Sequence, residues 1–198
     1  MAFVHLRTHS EHSVVDGMLR IDDAADAARA DGQVALAITD LNNLFGAVQF
    51  YQACRGRGVK PILGVDLWME PEGGDKQPSR LLLLAQSREG YLNLCEILSK
   101  AWIANEQRGQ AWVKWEWLAE HGAGLIALSG GAFGDVGRCL QSQRPAEAER
   151  ALAFWSGFIL PRWRFGAWLL GEQEESVRLR LEPVLEPGIS VPQIMDRI

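Results

Sequence analysis

The 198-residue chain has room for one domain of ordinary size, and its 47% hydrophobic and 23% charged residues give a soluble globular balance. A formal charge of -5 and a pI near 5.4 exclude the dominant basic surface that direct nucleic-acid binding calls for. Three cysteines without a CxxC pair are expected to be reduced thiols; no basic n-region with an apolar run and no membrane-length apolar stretch is present, so no membrane association and a cytoplasmic location are expected.

In chain order, "AFVHLRTH" reads as a short strand and "RIDDAADAARADG" as a helix with Asp22 as N-cap and Gly32 as terminator. "QVALAITD" is a continuous apolar run closed by polar residues, as in a buried parallel strand. "LFGAVQFYQACRGRG" follows as a helix with Leu44, Val48 and Tyr51 on one face, then "KPILGVDLWME" as a strand. "PEGGDKQPS" is a Gly/Pro-rich loop, "RLLLLAQ" a strand, and "REGYLNLCEILSKAWIA" a strong helix. After the Trp-rich "AWVKWEWLAEHG" come the strand "AGLIALSGG" and the helical stretches "DVGRCLQSQ" and "PAEAERALAFWSGF". This alternation predicts an α/β fold with mostly parallel strands. Beyond about Phe158 the rhythm fails, so residues 1–158 are expected to form the domain and 159–198 a divergent tail that does not complete the fold. The eight tryptophans fit core and interface anchoring better than base stacking.

The stretch "HLRTHSEHSVVDG" raises the question of a metal site. His5, Arg7 and His9 alternate, and in a strand alternate side chains share a face. A histidine row there would suit a metal ion, but the middle position is Arg7, a permanent cation that repels one. Other polar residues fall where strands end: Asp40 after "AIT", Asp66 after "ILGV" and Ser129 after "IAL". In parallel α/β folds that rim carries the active site. Each of these residues taken alone is as well explained by capping a turn. "GGAFG" lacks the Lys-Ser/Thr of a P-loop and reads as a turn.

"FVHLRTHSEHSVVDG", "ALAITDLNNLFGAVQFY", "GVKPILGVDLWM", "LLLLAQSREGYLNLCEILSKA" and "GLIALSGGAFGDVGR" together resemble the N-terminal polymerase-and-histidinol-phosphatase (PHP) domain of bacterial replicative DNA polymerase III alpha subunits, over roughly residues 3–157. The resemblance implies a distorted, incomplete TIM-like (β/α) barrel, whose strand ends in metal-binding relatives hold a multinuclear cluster that hydrolyses phosphate esters. Against that pattern, His9 and Asp16 are retained and Asp66 stands for a glutamate. Arg7, Leu41 (following Asp40) and Arg80 replace ligands. A degenerate site is therefore expected: His9, Asp16, Asp40 and Asp66 as vestigial cleft positions, no metal, no catalytic residue, and Arg7 or Arg80 paired with carboxylates in place of metal charge. No cofactor is implied for this segment, since magnesium would serve a polymerase region that lies beyond it. The implied role is structural, docking the proofreading 3′–5′ exonuclease subunit and the rest of the polymerase III holoenzyme, with DNA contacted only through the parent polymerase. The alternatives are a free-standing PHP-type metal-dependent phosphoesterase and a truncated or frameshifted product without function; the ligand set separates the first from the docking reading.

Overall fold

Helix α1 (Ile21–Ala30) packs Ile21, Ala24, Ala25 and Ala28 inward, the i, i+3, i+4, i+7 spacing of one helical face. Its N-cap is Arg20 and not Asp22; Asp22 and Asp23 instead lie in the first turn, where the helix dipole favours carboxylates. Gly32, with φ of 69°, ends the helix in the left-handed region that glycine tolerates. The computed structural model describes residues 3–71, 77–159 and 165–166.

Strand β1 (Ala35–Ile38) is buried throughout. Residues 3–9 run beside it without forming the expected strand. Ala37 N–H donates to the His5 carbonyl (2.9 Å) and Thr39 N–H to the Thr8 carbonyl (2.8 Å). These bonds lie three residues apart on one side and two on the other, so the ladder slips in the manner of a bulge. Helix α2 (Ala47–Gly56) begins later than its hydrophobic pattern, because Asn43 ties the preceding turn: its Oδ1 accepts from Phe45 N–H and its Nδ2 donates to the His12 and Leu41 carbonyls. The inward face is Ala47, Phe50, Ala53 and Cys54, whereas Val48 and Tyr51 are 67% and 48% exposed. The period is helical, but of the expected face only Leu44, ahead of the helix, is half-buried against the sheet core, while Val48 and Tyr51 point to solvent. Burial pushes the Cys54 thiol up to about 11.

Strands β2 (Lys60–Met69) and β3 (Ser79–Ala85) pair antiparallel, from Gly64 opposite Leu84 to Met69 opposite Ser79. Helix α3 (Arg88–Ala104) follows, capped by Ser87 Oγ on Gly90 N–H. The hairpin β4 (Glu106–Gln107) and β5 (Gln110–Val113) leads into α4 (Trp115–His121). Strand β6 (Leu125–Ser129) runs antiparallel to β3. A 3-10 turn (Gly131–Phe133) and helices α5 (Asp135–Gln141) and α6 (Pro145–Ile159) complete the rhythm. A two-residue strand, β7 (Phe165–Gly166), pairs parallel with β6. The rest of the tail predicted to diverge, 160–164 and 167–198, lies outside the described residues.

The sheet order is β4-β5-β2-β3-β6-β7, with β1 also paired to β2, and among the described residues it does not close. It is mixed, not mostly parallel as expected. The segment between β2 and β3 is too short for a crossover, which takes about a dozen residues, so the two strands return as a hairpin. One core lies between the sheet and α3: Val65, Leu67, Met69, Leu81 and Leu83 against Leu94, Ile97, Leu98 and Ala101, with Leu118 and Trp155. A second joins α1, α2 and β1 through Ile21, Ala25, Leu36, Ile38 and Phe50. Each fully buried Leu or Ile there contributes about 1.5–3 kcal/mol. No helix among the described residues is long and apolar enough to cross a membrane.

Candidate functional site

Alternation along β2 sends Val65, Leu67 and Met69 into the α3 core, which leaves Asp66 and Trp68 on the other face. The β2–β3 register sets Arg80 directly across from Trp68. The Arg80 guanidinium stacks over the Trp68 ring at 4.3 Å, a cation–π contact, and its Nε lies 3.8 Å from Asp66 Oδ1.

The slipped segment before α1 brings Arg7 and His9 to the same point. Arg7 donates from Nε (2.9 Å) and Nη2 (2.7 Å) to Asp66 Oδ2. His9 Nε2 meets that oxygen at 3.1 Å, and its Nδ1 lies 2.9 Å from Asp16 Oδ1. Asp16 closes the ring by accepting from Arg80 Nη2 at 3.2 Å. Asp66 is 2% exposed, Arg80 10%, His9 12%, Asp16 35% and Arg7 45%, so the cluster grades from a buried carboxylate to a wetted rim.

Two guanidinium groups and one imidazole thus face two carboxylates. Burial alone would disfavour a charged His9, but the hydrogen bonds and attraction of Asp66 and Asp16 outweigh it and raise its pKa above the usual value. For Asp16, partial burial acts upward, but the Ser13 hydroxyl, His9 and Arg80 together hold the carboxyl below its usual range. Each ring nitrogen of His9 is thus engaged by a carboxylate.

Arg7, His9, Asp16, Asp66 and Arg80 come together; Asp40 does not join them. The bridge partner of Asp66 is Leu41, so alternation turns Asp40 to the opposite side. There, 2% exposed, Asp40 accepts from Ser10 N–H at 2.5 Å and from Ser10 Oγ at 2.7 Å. The idea of an arginine pair for Asp40 is replaced by a serine cap that fixes the turn after His9. Leu41 stands beside Asp66 as an apolar wall and offers no ligand. Ser129 ends β6 opposite Leu81 and joins none of these contacts. His5 packs edge-on to Phe3, and His121 ends α4 beside Lys100.

Sequence reasoning missed three supporting residues. Ser13, fully buried, donates to Asp16 Oδ1 at 2.6 Å and accepts from Leu41 N–H at 3.0 Å. Trp68 carries Arg80. Asn42, with φ of 55°, is a buried junction whose polar groups are all in use: its N–H donates to the Asp66 carbonyl, its Nδ2 to the Ala111 carbonyl, its Oδ1 accepts from Trp68 N–H and its carbonyl from Trp102 Nε1. Of these only Asn42, a polar residue just after β1, carried a signal in the sequence. Beyond Leu41 and Trp68 lies an apolar groove of about 770 Å³, further lined by Phe45, Leu98, Trp102 and Ile103.

The chain is 41% identical to DNA polymerase III subunit alpha of Pseudomonas fluorescens over 82% of its length, and 35% identical to that of Escherichia coli K12 over 97%. It spans only 14% and 17% of those two relatives. A candidate metal-dependent phosphoesterase from Bifidobacterium adolescentis superimposes with a TM-score of 0.44 at 13% identity, covering 87% of this chain and 88% of that one. The PHP domain profile matches residues 5–162, which takes in the N-terminal segment and strands β2 and β3 with Asp66 and Arg80. The chain belongs to the PHP domain family.

Proposed function

We propose that this chain acts as a structural and docking domain within a DNA polymerase III alpha subunit, its open mixed sheet being the incomplete barrel of a PHP domain whose metal site has been replaced by an ion-pair cluster. The observation that carries this reading is Asp66: a carboxylate 2% exposed that faces Arg7, His9 and Arg80 at 2.7, 3.1 and 3.8 Å. The donor set does not fit a metal cluster. Two guanidinium groups bring permanent positive charge to the position a cation would take, and both His9 nitrogens are turned to carboxylates. The arginines supply the charge that an ion would otherwise bring to the buried aspartate.

The partner on this reading is the proofreading 3′–5′ exonuclease subunit, with the remaining holoenzyme and DNA reached through the polymerase. An exposed apolar surface supports docking: Phe45 is 75% exposed and Ile103 86%, beside an open groove lined by Leu98 and Trp102. The test is calorimetric titration of the chain with the cognate exonuclease subunit, together with assay of a generic phosphate ester in the presence of manganese or zinc. Saturable binding without metal-dependent turnover is expected. Turnover that disappears in His9→Ala would establish the phosphoesterase alternative, and absence of binding would remove the docking role.

A further inference from the structure

We draw no further inference here: the strongest candidate, the apolar groove between the turn after β1 and helix α3 lined by Leu41, Phe45, Trp68, Leu98, Trp102 and Ile103, presents an unpartnered face, and nothing in the structure shows what covers it.

Discussion

Replacing Asp66 with asparagine keeps the side-chain shape and removes one charge, so it isolates the electrostatic argument. In the wild type the carboxylate is 2% exposed and accepts from Arg7 at 2.7 and 2.9 Å, while His9 sits at 3.1 Å. Removing one partner of a buried ion pair costs about 3–5 kcal/mol, since the other charge is left uncompensated. Here the lower end applies: Arg7 is 45% exposed and can be rehydrated, and His9 can release its proton. We expect a loss of about 3 kcal/mol in urea unfolding at neutral pH, or roughly 6–12 °C in Tm at about 2–4 °C per kcal/mol. The pKa of His9, followed by NMR, should fall at the same time, because its largest upward influence is Asp66. A double-mutant cycle with Arg7→Gln should show coupling above about 1 kcal/mol. Stability within about 0.5 kcal/mol of wild type, with an unmoved His9 titration, would refute the claim that the arginines neutralise a buried aspartate.

Four further outcomes follow, two from the cleft and two from the backbone. His9 has its pKa raised on folding, so its contribution is complete below the unfolded value of 6.5 and fades as pH climbs through the higher folded value. The gap in urea midpoint between wild type and His9→Gln should therefore narrow on going from about pH 5 to about pH 9, and a widening gap would reverse the sign of the argument. Asp16, held low, contributes above 3.8 and loses that contribution as pH falls through its lower folded value. At Asn42, both Ala and Gly lose the side-chain bonds to Ala111 and Trp68, but only Ala is strained at φ of 55°, so Asn42→Ala should be less stable than Asn42→Gly by about 1 kcal/mol in urea melts. A Cβ at Gly90 would collide with the Gly124 carbonyl, so Gly90→Ala should destabilise by about 1–3 kcal/mol; a neutral result by calorimetry would show that the α3 start can shift freely.

Much of this architecture was readable from local pattern. Helix α3 and the buried runs of β2 and β3 come from apolar periods that tertiary structure had no reason to override. What pattern could not supply was direction and phase. The strand–helix alternation suggested mostly parallel pairing, yet the stretch from Met69 to Ser79 is too short for the crossover that a parallel β2–β3 pair needs. In α2 the period was right, but the buried face follows Phe50 and Ala53, because α1 and β1 cover that side. The cleft shows the same division. The family resemblance implied arginine–carboxylate pairs with Asp16, Asp40 or Asp66, but setting Asp40 apart from the other two needed the Leu41–Asp66 register. Ser10 and Ser13 carried no pattern at all; their roles exist only through contacts with Asp40, Asp16 and Leu41.

The central claim, that guanidinium charge stands where a metal cluster would stand, is tested most directly by metal stoichiometry. The chain would be exposed to zinc, manganese and iron, passed through a desalting column and measured by inductively coupled plasma mass spectrometry alongside His9→Ala. The account predicts well under one ion per chain for both proteins, since Arg7 and Arg80 make the cleft hostile to a cation. Two or more tightly held ions per wild-type chain, lost in His9→Ala, would contradict it.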